Sequence, residues 1–277
     1  MKFDRVILSG HQDIVLFDRN NPLSSPYVSK TIDGLAPTEA NVNLAQTTQG
    51  TGLYIGRRPQ LREITCNVHL NPDYRNGETP ETLRQRLYMM RPITADGSLT
   101  FKLFLDGVEQ ARTPVYIKRM EMSPFSKDNL LQLVLASPRE YFERPIHIHL
   151  TDPAFDKVHP VFPNEGSAPT GFMAQVTFTG PMTMFGYKRL EDDQQISIVH
   201  NFQTNDRLEI DTRIGLRGVW LYRGTGPRTS ILGSMTADSS WVTLHPGDTD
   251  FDVLKKLNEP ANFRWNMYQY LPQYLGV

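Results

Sequence analysis

The sequence predicts a mainly β protein: an N-terminal β-barrel or sheet belt domain carrying one α-helix, then a C-terminal antiparallel β-sandwich. Three observations carry that expectation. Twenty Pro and nineteen Gly are spread along 277 residues and cut the chain into short segments, as in proteins built of strands and turns. Apolar residues recur mostly at every second position, the period of a strand with one buried face. Helical spacing is found in one place only.

In the first block, Ile64, Cys66, Val68 and Leu70 share one face of segment 61–70, while Glu63, Thr65, Asn67 and His69 share the other. The helix is expected over 79–90. Thr79 can cap it, Pro80 suits the first helical position and Glu81 suits its positive end. Leu83, Leu87 and Met90 then form one apolar stripe, and Arg91-Pro92 stops the run. A hairpin follows, from 99–105 through the turn pair Asp106-Gly107 into Val108 and on to Ile117. Segment 130–136 returns as a strand.

Residues 159–171 are rich in turn formers and predict a linker or domain entry. Beyond them, strands are expected at 172–178, 195–199, 207–210, 217–222 and 241–244, without intervening helices, which is the pattern of a sandwich. The resulting division is 1–155 for the belt, 156–254 for the sandwich and 255–277 for an aromatic C-terminal tail.

Charge excludes several functions. Lys and Arg number 29 against 30 Asp and Glu; residues 1–150 hold 18 basic and 16 acidic side chains, and residues 151–277 hold 11 and 14. Neither half has the basic excess of a protein that captures DNA or an anionic membrane by counterion release. A hydrophobic fraction of 39% with three Trp, eleven Tyr and fourteen Phe indicates a folded core. The single cysteine, Cys66, cannot form an internal disulfide, the first residues lack a signal peptide's apolar stretch, and no apolar run spans a bilayer. Folding in a cytoplasm is expected.

No phosphate loop, zinc-protease or nucleophile-elbow motif occurs, so no enzyme, catalytic residue, metal or cofactor is expected. Gly224-Thr225-Gly226-Pro227 reads as a hairpin turn. Glu191-Asp192-Asp193 lacks the alternating donors of a calcium loop and reads as a solvated hairpin tip. His147 and His149 share a strand face, but no third ligand accompanies them. Cys66 reads as a small apolar residue on a buried face. Trp220, Tyr222 and Trp241 are candidate sugar-stacking platforms, with core filling as the alternative. Trp265, Tyr268 and Tyr270 lie in a terminus too aromatic to fray, and are expected to dock on their own domain or at a subunit interface.

Several local sequences resemble the distal tail proteins, or Dit family, of long-tailed phages. In the first block these are Ile7-Leu8-Ser9-Gly10, the segment 62–70, the helix, the Leu105-Asp106-Gly107 turn, and Ser137-Pro138 with Tyr141-Phe142. In the second they are Asn164-Glu165-Gly166, the segment 206–212 and the segment 239–248, which ends in Asp248 where family members commonly have Asn. It is the order of these motifs over about 1–254 that carries the resemblance.

The resemblance implies a structural, non-enzymatic virion protein assembled in the host cytoplasm: a hexameric belt, in rings that can stack, bearing a galectin-like sandwich. Its partners would be other copies of itself, the tail tube protein and the tail tip or receptor-binding proteins, with DNA only as passing cargo. The alternative is a carbohydrate-binding module that attaches to a host surface. A third reading is a glycoside hydrolase with a sandwich accessory domain, although no carboxylate pair can be nominated from sequence.

Overall fold

A computed structural model describes residues 3–22, 25–38, 40–46, 52–59, 61–90, 98–121, 129–150 and 158–277, with only the backbone course given for 40–46 and 52–59. The chain forms two compact units, Met1–Pro145 with Tyr274–Val277, and Ile146–Gln273. The last four residues therefore complete the first unit. The expected boundary at 155–156 lies outside the described residues.

The first unit contains β1 (Arg5–Ser9), β2 (Asp13–Asp18), β3 (Tyr27–Asp33), β4 (Ala40–Gln46), β5 (Gly52–Pro59), β6 (Arg62–Leu70), α1 (Pro80–Met89), β7 (Leu99–Leu105), β8 (Val108–Glu121), β9 (Leu130–Ser137) and β10 (Phe142–Glu143). Its main sheet runs β2-β1-β7-β8-β9-β6-β3, all antiparallel, and its two ends, β2 and β3, lie side by side, so the sheet rolls up on itself. The alternation in β6 places Ile64, Cys66, Val68 and Leu70 inside and fully buried. β7 and β8 pair through a turn in which Asp106 has φ 51° and Gly107 φ 75°, the doubly left-handed conformation that a two-residue hairpin needs.

Helix α1 begins as expected. The Thr79 hydroxyl accepts from the Thr82 backbone N–H, and the Thr82 hydroxyl accepts from the Thr79 N–H, closing a capping box. Leu83, Leu87 and Met90 are buried against the rolled sheet. Arg91 and Pro92, expected to end the helix, lie outside the described residues. β4 and β5 pair only with each other among the described residues, as a separate hairpin between β3 and β6. At its approach Gly34 has φ +89°, and a Cβ there would sit 1.9 Å from the Glu63 carbonyl oxygen. Only glycine fits that crossing.

The second unit is a sandwich. β11 (Ile148–Leu150), β12 (Val161–Asn164), β13 (Phe172–Phe178), β14 (Met182–Arg189), β15 (Gln195–Phe202), β16 (Arg207–Asp211), β17 (Gly218–Tyr222), β18 (Thr229–Ser230), β19 (Gly247–Leu254) and β20 (Phe263–Tyr270) form two antiparallel sheets. One runs β11-β20-β13-β16-β17-β18 and the other β12-β19-β14-β15. Their facing sides close over Phe162, Phe172, Phe178, Phe185, Phe251 and their neighbours.

Three expectations need correction here. Segment 159–171 holds β12 and an Asx turn in which Asn164 accepts from Gly166 N–H and donates to Ala168 C=O, so it belongs to the sandwich and is no linker. Segment 241–244 is not a strand; its backbone makes one isolated bridge, Thr170 to Leu244. Residues 255–277 are no appended tail, because β20 lies inside the six-stranded sheet between β11 and β13. A strand needs only a partner on each side, and chain position does not preclude it.

Candidate functional site

No group of three or more His, Cys, Asp or Glu side chains is gathered as a metal site among the described residues. The His147 and His149 rings stack with centroids 6.1 Å apart. Cys66 is fully buried, and burial, aided by Asp33, pushes its thiol up to about 12, which leaves it protonated and unreactive. No helix among the described residues is long and apolar enough to cross a membrane.

The chemistry that the structure does organise is cationic. Arg62, at the head of β6, is 1% exposed. Its Nη1 donates to the carbonyls of Gly34 and Ala36, both at 2.8 Å, and its Nη2 donates to the Glu140 carbonyl at 2.6 Å and to that of Leu275. The guanidinium also lies 4.5 Å from the Phe142 ring centroid. Burial lowers its pKa from the ordinary arginine value, opposed by the Glu140 carboxylate. Val277 N–H donates to Leu35 C=O at 3.0 Å, so residues 34–36 are held from two sides. These contacts clamp both roots of the β4–β5 hairpin. Arg57 and Arg58 lie on β5, where the backbone alone is described.

In the second unit the three proposed sugar-stacking rings each carry a guanidinium. Arg228 lies 3.6 Å from the Trp220 centroid, Arg207 4.1 Å from that of Tyr222, and Arg217 5.8 Å from that of Trp241. Gly218 passes directly beneath Trp220, where a Cβ would come within 2.3 Å of the indole. Glu209 sits between the first two stacks, accepting from Tyr222 Oη at 3.3 Å and pairing with Arg228 at 3.3 Å. A neutral sugar would have to displace an arginine to stack there.

Trp265, Tyr268 and Tyr270 take the own-domain alternative. They are 3%, 0% and 1% exposed and belong to the sandwich core, so these rings offer no surface to a partner. Tyr270 Oη accepts from Glu165 N–H at 3.1 Å, and burial first, with Tyr270 next, raises the Tyr268 pKa. The acidic tip is more than a solvated turn. Asp192 accepts from Arg189 Nε at 2.8 Å and from its Nη2, while Arg189 Nη1 donates to the carbonyl and hydroxyl of Thr243. Those hydrogen bonds hold the Asp192 carboxyl down to about 2. Arg62 and Arg189 are buried, multiply hydrogen-bonded arginines whose roles sequence reasoning missed; each stands at a strand end in an alternating pattern where an inward position should be apolar, a weak signal.

Residues 165–267 match the family described as siphovirus-type tail component, C-terminal domain. That stretch lies within the second unit, which is thus similar to the Dit tail-component domain. The chain as a whole shares the fold of a solved Dit. The crystal structure of Dit from phage SPP1, described as a paradigm of the hub adsorption apparatus in phages infecting Gram-positive bacteria, aligns over 97% of this chain and 98% of that one, with 11% identity and a TM-score of 0.66. Chains of the phage p2 baseplate in its activated conformation, with Ca and with Sr, align at 11% identity with TM-scores of 0.45 and 0.44, covering 100% and 99% of each chain. No curated protein matches this chain by sequence.

Proposed function

We propose that this chain is a Dit-family structural component of a phage tail, a hexameric hub that joins the tail tube to the baseplate or tail tip. The observation that carries the reading is the match of residues 165–267 to the tail-component family, set beside a fold shared along nearly the whole chain with a phage hub protein. Physical features of the first unit support assembly. A two-stranded hairpin is marginal in water by itself. β4 and β5 pair with no third strand among the described residues, so pairing with a neighbouring subunit would satisfy their edges. The Arg62 clamp would hold the hairpin roots in place for it.

The ring subunits would be related head to tail around a closing axis, each presenting two different surfaces. Near-neutral charge in residues 1–150, 18 basic against 16 acidic, suits a channel that DNA traverses without being retained. Since Arg62 is buried, it adds nothing to such a channel's charge.

Native mass spectrometry and negative-stain imaging of the purified protein test the reading. A six-fold ring is expected, alone or once tail-tube protein is added. A species that stays monomeric at high concentration and with tube protein present would overturn it.

A further inference from the structure

The outer face of the six-stranded sheet carries an arrangement that neither ring formation nor the family description assigns. Register places Arg264 of β20 opposite Thr177 of β13, Thr177 opposite Arg207 of β16, and Arg207 opposite Tyr222 of β17. Directly paired residues share a face, so these four side chains form one row across the sheet. Two strand spacings separate the two arginines, roughly 10 Å, the span of about three residues of an extended chain.

The two cations differ from their neighbours in what they touch. Arg228 is neutralised by Glu209, Arg213 by Asp211 at 2.6 Å and Arg189 by Asp192. Arg207 instead lies on the Tyr222 ring, and its guanidinium has no carboxylate or carbonyl partner among the described residues; its Nε is buried and unpartnered. Arg264 is exposed and also lacks a described ion pair or hydrogen bond. A ring beneath a guanidinium fixes its plane while leaving the terminal Nη groups available in that plane, which lowers the ordering cost of binding an oxyanion. The row is positive in a half of the chain that is acidic overall, 11 basic against 14 acidic in residues 151–277.

We propose that this face is a docking surface for an acidic segment of a protein partner, with Arg207 and Arg264 each taking a carboxylate and Thr177 lying between them. A guanidinium matches a carboxylate in a two-pronged geometry. The remaining side chains of the face point to a protein and away from a neutral glycan. Arg, Trp and Tyr are the types that dominate interface hot spots. The rings that a sugar would stack on, Trp220 and Tyr222, already carry arginines. Glu209, bonded to both Tyr222 and Arg228, holds the platform still. The inference concerns the second unit alone and stands whether or not the chain forms a ring.

The test uses the full-length protein with poly-L-glutamate as probe, polyphosphate and neutral dextran as parallel arms, and fluorescence anisotropy of the labelled probe as readout. Poly-L-glutamate is expected to bind, more weakly as salt rises. The double substitution Arg207→Gln and Arg264→Gln should weaken it about tenfold or more. Arg75→Gln on the first unit should leave binding within about twofold. Unchanged tryptophan fluorescence on thermal unfolding identifies variants that keep the sandwich intact. Equal poly-L-glutamate binding by the double variant overturns the proposal. So does binding of polyphosphate or dextran without binding of poly-L-glutamate, which would assign the face to a phosphate polymer or a sugar.

Discussion

The interior of the first unit is aliphatic, with Leu, Ile and Val filling it and Tyr27, Phe101 and Phe142 its rings, whereas the second unit buries eleven aromatic side chains among its described core residues. The difference follows from the two ways of closing a sheet. A sheet rolled on itself leaves a narrow interior in which branched chains interdigitate. Two sheets facing each other stand roughly 10 Å apart, a gap that rings can bridge from either side. Phe162 shows how: it stacks on Tyr268 at 4.2 Å and meets Trp265 edge-on at 5.4 Å and 89°. Among the described residues each unit also buries one arginine, but the two are held differently. Arg62 is held by four backbone carbonyls, and Arg189 by a carboxylate that is itself 37% exposed.

The largest test of this contrast is Arg62→Ala. It removes the common donor of four backbone carbonyls and the packing of a buried side chain, and a cost of about 2–4 kcal/mol is expected. The site of the loss can be read directly, because all three tryptophans, Trp220, Trp241 and Trp265, lie in the second unit. Chemical unfolding followed by far-UV circular dichroism should show an early transition that tryptophan fluorescence does not. Coincident transitions, shifted together, would mean that the clamp does not belong to the first unit alone. Arg62→Lys should recover part of the loss, since one ammonium has three donors for four carbonyls.

A smaller effect is expected in acid. The carboxyl of Asp192 is held at about 2, below the usual 3.8, chiefly by the Arg189 hydrogen bonds. A lowered folded-state pKa means that its stabilisation is complete above the usual value and is lost as pH falls through the window from 3.8 to about 2. The tryptophan-reported melting temperature should therefore drop more steeply across that window in the native chain than in Asp192→Asn. Parallel acid curves would show that the carboxylate does not support the sandwich.

The smallest effect has the opposite sign. Tyr187 is fully buried, burial raises its pKa, and its hydroxyl finds no hydrogen-bond partner among the described residues. Tyr187→Phe keeps the ring contacts with Phe172 and Phe251 and removes the unmatched polar atom. The sandwich should gain up to about 1 kcal/mol, read as a later tryptophan transition. A loss of stability would reveal a partner for the hydroxyl.

Much of the first unit was legible because its signals are local. Period-two alternation in β6, the Asp106-Gly107 turn and the Thr79-Pro80 start of α1 each depend on neighbours within a few residues. β14 and β19 were harder. Every inward residue of β14 and several of its neighbours are buried, and Gly186 lies so close to Ile196 that a Cβ would sit 2.2 Å from its carbonyl oxygen, which erases the alternation. β20 was masked by its position near the end of the chain. Its aromatic sequence marked it as more than a frayed tail, yet nothing within it states that its partners are β11 and β13.

The candidate site divides the same way. Trp220 and Tyr222 stood out in the sequence as paired rings on one strand face, but what lies over them comes from elsewhere, Arg207 from the neighbouring strand and Arg228 from the turn beyond. The sequence by itself determined the mainly β class, the single helix with its cap, the hairpin turn, and the absence of a charge excess, because these follow from composition and from steric preferences over a few residues. Only the tertiary structure decided that residues 274–277 complete the first unit, that Arg62 is a buried clamp, and that Arg207 and Arg264 share one row. Those depend on strand order and register between segments up to 213 positions apart, which no local preference encodes.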